Sequence, residues 1–165
     1  MIYFRAMTDL SPRDQKLVQK LAAGMKKQKA GIVQVEALLQ EAILDLTEAK
    51  KISHLAQRAT YLMAYTGILK AGRALLLLKG YVPDDGAQHK TVVEMTSAIL
   101  GDKYKNLTEH FENMRRKRNE LTYEAGKLLS LSEAQKALAD AIALVHEILK
   151  EAKSQNPQLE LNFKL

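Results

Sequence analysis

The densest chemistry in the chain lies in Met114-Arg115-Arg116-Lys117-Arg118-Asn119-Glu120-Leu121-Thr122-Tyr123-Glu124. Wound as a helix at about 100° per residue, this stretch and its flanks put Leu107, Phe111, Met114, Leu121 and Ala125 on one apolar face. Arg118 falls in the middle of that face. An arginine keeps its charge at neutral pH, so a buried one requires a carboxylate, backbone carbonyls, a subunit interface or an anionic ligand. Glu112, Arg116, Asn119, Glu120 and Tyr123 fall together on the opposite side. Two readings stay open: an internal Arg118 to carboxylate pair above an ordinary solvated stripe, or an anion clamp whose planar fork matches phosphate. Arg115, Arg116 and Lys117 supply diffuse attraction for a polyanion in the second case.

Other chemistry is sparser. His54, His89, His110 and His146 have no ligand-spaced pair among them, so no metal site is expected. His89 follows a loop and opens a helix; it either caps its own element or, where the fold brings it near Arg118, acts as a base. Tyr61, Tyr65 and Tyr81 read as core or loop packing ahead of nucleobase platforms. No Gly-rich phosphate loop, Ser-His-Asp arrangement or paired-carboxylate motif stands out. The absence of cysteine excludes a disulfide framework, a thiolate zinc site and a cysteine nucleophile. Asn106-Leu107-Thr108 fits a glycosylation sequon, but Met1-Ile2-Tyr3-Phe4-Arg5 lacks the form of a secretory signal, and the cytoplasm is the expected location.

These residues need elements to hold them. With 165 residues, 47% hydrophobic and 27% charged, the chain is sized for one ordered domain over 1–165. Three prolines and eight glycines leave long uninterrupted stretches rich in helix formers. A first helix is expected over 11–30, with Ser11 as N-cap, Pro12 at the first helical position, and Lys26-Lys27-Gln28-Lys29 at the end where the dipole is negative. Gly31 breaks it before a second helix over 33–51 faced by Val35, Leu38, Leu39, Ala42, Ile43, Leu46 and Ala49, with one continuous helix as the alternative. The third, over 53–79, places Leu62, Tyr65, Leu69, Gly72 and Leu76 at the spacing of a bundle centre. Its apolar window at 61–78 contains Lys70 and Arg73, which argues for a buried helix and against a membrane span. A surface loop over 80–86, helices over 90–100 and 104–123, and a last helix capped by Ser132 and Gln135 and ending before Asn156-Pro157 complete the bundle core of 33–153. The alternating tail in 156–165 is extended and docks on this domain or on a partner. The fold class is all-α, an up-and-down bundle of about five to six helices. A formal charge of +6 and pI near 9.4 favour polyanions without requiring them.

The Arg118-Asn119-x-x-x-Tyr123 string resembles the signature of HEPN domains, the higher eukaryotes and prokaryotes nucleotide-binding domains. The likeness extends through Tyr61, Ala64 and Tyr65 into Ala71-Gly72-Arg73-Ala74-Leu75-Leu76, then Gly80-Tyr81 and His89-Lys90, and covers roughly 33–153. It implies a helical bundle, commonly a two-fold homodimer. Catalytic members are metal-independent ribonucleases that use Arg-x-x-x-x-His, with a polar residue after the arginine. Arg118 and Asn119 match those positions, while the histidine position holds Tyr123. A tyrosine with an ordinary pKa near 10 relays a proton poorly at neutral pH, although it can bind phosphate or stack on a base. The resemblance therefore implies an RNA- or nucleotide-binding domain of a prokaryotic toxin-antitoxin or related defence module. A small nucleotidyltransferase is its implied protein partner, and no cofactor is expected. Arg118, Asn119 and Tyr123 are the catalytic-position residues, and Arg115, Arg116, Lys117 and His89 are candidate nucleic-acid contacts. The alternatives are a metal-independent endoribonuclease in which Tyr123 or His89 replaces the histidine, and a non-catalytic helical adaptor whose Arg118 is an interface ion pair and whose tail docks on another protein.

Overall fold

The structure is a computed structural model that describes residues 12–22, 25–27, 31–83, 88–159 and 161. The chain runs through α1 (Pro12–Ala22), β1 (Met25–Lys27), α2 (Ile32–Ile52), α3 (Gln57–Leu78), β2 (Tyr81–Pro83), α4 (Gln88–Leu100), a 3-10 turn (Asp102–Tyr104), α5 (Lys105–Tyr123) and α6 (Leu131–Gln155). The expected helical bundle is present, and α2 stands as its own helix behind Gly31.

Apolar residues recurring at three- and four-residue steps decide who packs on whom. On α2 the buried row is Val35, Leu39, Ala42, Leu46 and Ala49, with Leu38 and Ile43 partly covered. Helix α3 is buried along most of its length, from Thr60 to Leu78, because it contacts α2, α4, α5 and α6. It is long and apolar enough to cross a membrane, but 72% of its apolar window lies inside the bundle, as a core helix does. Helix α6 packs on α3 and also on α2 and α5, and its buried residues include Ala137, Ala141, Leu144, Val145 and Ile148.

One contact brings the polar site together. At Gly72 a Cβ atom would lie 2.7 Å from Val92 Cγ1 and 2.9 Å from Thr96 Oγ1, so α3 and α4 touch almost backbone to side chain there. Phe111 of α5 closes the same junction.

Three expectations require correction. The helix expected over 11–30 closes at Ala22, and Lys26 and Lys27 lie on β1. Gly24 weakens helix propensity just beyond that end. Tyr81-Val82-Pro83, expected as loop, supplies a strand for β1, with Met25 opposite Pro83, Lys26 opposite Val82 and Lys27 opposite Tyr81 in antiparallel register. The last helix is capped one half-turn earlier than Ser132 and Gln135: Glu133 N–H donates to Ser130 Oγ at 3.0 Å and Ser130 N–H donates to Glu133 Oε2 at 2.8 Å. A glutamate accepts more strongly than a glutamine at the positive end of a helix. Ser11 lies outside the described residues.

In the tail, Leu159 and Leu161 are buried against the domain itself, and Lys153 Nζ donates to the Leu161 carbonyl at 2.7 Å. Neither residue is in a strand, and 162–165 lie outside the described residues.

Candidate anion site around Arg118

Helix α5 is built as its spacing requires. Thr108, Phe111, Met114 and Leu121 are buried, Leu107 is partly covered, and Ala125 is exposed because the helix ends at Tyr123. Arg118 stands half-buried within that row. One of its terminal nitrogens donates to Asn119 Oδ1 at 3.1 Å. Among the described residues no carboxylate pairs with it, so the internal ion pair left open by the spacing is not found there.

Its basic neighbours behave differently. Arg115 binds Glu112 through both ends of its fork, at 2.8 and 2.9 Å, and Arg116 reaches the same carboxylate at 2.8 Å. The Arg115 hydrogen bonds, and then those from Arg116, pull the Glu112 carboxyl down to about 2. Lys117 turns toward α6, 3.9 Å from Glu133. Arg115 and Arg116 thus share one carboxylate and Lys117 has a more distant one, whereas Arg118 has none among the described residues.

Two other helices supply what faces it. Tyr65, on α3, has its hydroxyl 3.0 Å from His89 Nδ1 at the start of α4. The two rings sit 6.0 Å apart, and Tyr65 tilts against Phe111 of α5 at 6.1 Å. Burial, followed by the charges of Arg118, Arg73 and Arg115, holds the His89 ring below its ordinary range. Burial also pushes the Tyr65 phenol up to about 12, against the opposing pull of Arg118, Arg115 and Arg73. All three guanidiniums therefore act on one Tyr65–His89 pair. At neutral pH the pair is an uncharged phenol and an uncharged imidazole. If the phenol donates to Nδ1, the ring proton sits on Nε2; if Nδ1 carries the proton, Nε2 is a free base.

The candidate residues thus separate. Arg118, Arg115 and His89 converge on one site with Asn119 as a support, and Arg116 joins it through Glu112. Lys117 points elsewhere. Tyr123 is 77% exposed at the end of α5, and among the described residues no hydrogen bond or ring contact ties it to the Tyr65–His89 pair. Sequence reasoning missed Tyr65 and Arg73 as site residues. The usable signal was the pair of charges inside the most apolar window: Lys70 is matched by Asp45 at 2.8 Å and Glu41 at 3.2 Å, whereas among the described residues Arg73 reaches only the Gln88 side-chain oxygen, at 3.5 Å. Of the remaining histidines, His110 bonds Asp140 at 2.6 Å and His54 is exposed. Among the described residues no group of three or more His, Asp or Glu side chains is arranged to hold a metal ion.

Compared with protein-family models and with curated proteins, the chain matches none.

Proposed function

We propose that this domain binds single-stranded RNA or a nucleotide through a phosphate held at Arg118, as a HEPN-like homodimer in the cytoplasm and a component of a toxin-antitoxin or related defence module. The observation that carries the reading is a half-buried arginine with no carboxylate partner among the described residues, whose charge acts with those of Arg115 and Arg73 on one part-buried Tyr65–His89 pair. A guanidinium fork and a phosphate make a bidentate, charge-assisted pair, which the two oxygens of no nearby carboxylate supply to Arg118. Asn119 steadies the fork, and Arg115 and Arg116 add long-range attraction tempered by Glu112. A two-fold axis that sets two α5 helices side by side joins two such sites into one basic surface. A small nucleotidyltransferase is the protein partner that the HEPN resemblance favours.

The test is titration of a short single-stranded RNA, and separately of ATP, at two salt concentrations. Wild-type protein should bind one of them in a salt-sensitive manner, and Arg118→Ala should weaken binding by about 10- to 100-fold, the weight of a charge-assisted contact. Failure of both ligands to bind at low salt rejects the reading.

The position of His89 favours a second reading, a metal-independent endoribonuclease. His89, and not Tyr123, shares the arginine cluster, and an imidazole kept neutral at pH 7 is a competent base. Its Nε2 would take the proton of a ribose 2′-hydroxyl as that oxygen bonds to phosphorus. The bond from phosphorus to O5′ then breaks, a proton passes to O5′, and a 2′,3′-cyclic phosphate and a 5′-hydroxyl end remain. This role needs the tautomer in which Nδ1–H donates to the Tyr65 oxygen. RNA cleavage in EDTA that His89→Ala abolishes and Tyr123→Phe retains is the expected result; RNA left intact by clean protein sinks it.

A further inference from the structure

Within the apolar stretch of α3 and the buried row of α5, two arginines, Arg73 and Arg118, have no carboxylate partner among the described residues. Each charged side chain inside the apolar stretch of α3 needs compensation, and Lys70 has it from Asp45 and Glu41. Arg73 has none among the described residues: it donates to the neutral Gln88 oxygen, at the long distance of 3.5 Å. Carboxylates near the site are already engaged, Glu112 by Arg115 and Arg116, and Glu94 by Lys90 at 3.8 Å. Close contact of α3 with α4 at Gly72 brings the next residue, Arg73, beside Gln88 and His89. From α5, Phe111 packs on the Tyr65 ring at 6.1 Å, and the charge of Arg118 on the same helix acts on both Tyr65 and His89. Like charges held on separate helices around one uncharged pair repel unless an anion lies between them.

We infer that Arg73 is the second guanidinium of the Arg118 site, and that together they grip one phosphodiester of a single-stranded RNA over the Tyr65–His89 pair. The inference rests on the reading of Arg118 as a phosphate clamp and extends it to a site assembled from three helices. Two forks from different directions can bind both non-bridging oxygens of a phosphodiester at once. The His89 ring nitrogen that does not face Tyr65 is then left for the adjoining ribose.

Fluorescence anisotropy with a short labelled single-stranded RNA tests it on four variants: Arg73→Gln, Arg118→Gln, the double variant, and Arg58→Gln as an exposed arginine on the same helix. Arg73→Gln should weaken binding at least tenfold and lower the salt dependence by less than about 0.7 in log–log slope, the share of one whole single-strand phosphate contact, because Arg118 still holds that phosphate. Because both forks hold one phosphate, the double variant should lose less than the product of the single losses. Arg58→Gln should stay within twofold of wild type. Should Arg73→Gln melt well below wild type, Arg73→Lys carries the test, since it keeps the charge and the stem but not the fork; at least a threefold loss is then expected. Wild-type affinity in the Arg73 variants alongside lost affinity in Arg118→Gln overturns the role of Arg73 and leaves the Arg118 clamp standing. Equal losses in Arg58→Gln and Arg73→Gln also overturn it, as diffuse attraction. A wild-type protein that does not bind RNA overturns both.

Discussion

Arg118 and Tyr123 belong to one short string on one helix, yet the fold treats them as opposites. Arg118 lies half-buried in the apolar row of α5, and its charge acts, together with that of Arg73, on the Tyr65–His89 pair that α3 and α4 bring together. Tyr123 ends the helix and is 77% exposed, beside a turn whose Leu128 is 86% exposed. Residues that are neighbours in a motif thus differ in the number of helices that reach them. Chemistry that needs converging groups is available at the first position, whereas the second offers only a surface side chain.

Substitutions at the two ends of the helix turn this contrast into numbers. Phe111→Ala removes the ring that links α5 to Tyr65 and fills the Gly72 junction, and should cost about 3–5 kcal/mol in denaturant unfolding. Next is Gly72→Ala, whose new methyl group meets the fully buried Val92 and Thr96; about 1–3 kcal/mol of stability should be lost, and RNA binding should fall as Arg73 and His89 are pushed apart. A smaller effect belongs to the Glu112 cluster. Its carboxyl is held at about 2 against an ordinary 4.5, so its contribution is complete above pH 4.5 and disappears as the pH falls through 2. With solvent screening of this partly exposed group, that amounts to about 1–2 kcal/mol, and Glu112→Gln should flatten the acid limb of a stability–pH curve. Smallest of all, Tyr123→Ala should change stability by no more than about 0.5 kcal/mol. A large loss from Tyr123→Ala would erase the contrast.

Much of the architecture was legible because it rests on long apolar periodicities. The rows on α2, α3 and α6 and the breaks at Gly31 and Asn156 follow from local sequence. The β1–β2 pairing was not legible, since three residues near the N-terminus and three after α3 carry no signal that they will be opposite one another. The capping box was ambiguous for a simpler reason: Ser130-x-x-Glu133 and Ser132-x-x-Gln135 overlap, and the stronger acceptor prevailed. In the site, Arg118 was found because a charge on an apolar face breaks a local rule, and Asn119 came with it. His89 entered only as a conditional partner, because 29 positions separate it from Arg118 and the link between their helices runs through Tyr65, which bonds His89 and packs on Phe111. Tyr65 read as core packing, and Arg73 as a charge that argues against a membrane span, until their neighbours were known.

The most direct test of the central claim follows individual side chains by NMR while a short single-stranded RNA is added at low salt. The His89 ring signals and the Arg118 Nε signal should move together and saturate at one RNA concentration, with the Tyr123 ring signals unchanged. Movement of Tyr123 while Arg118 and His89 stay still would contradict it, and would put the functional surface at the exposed end of α5.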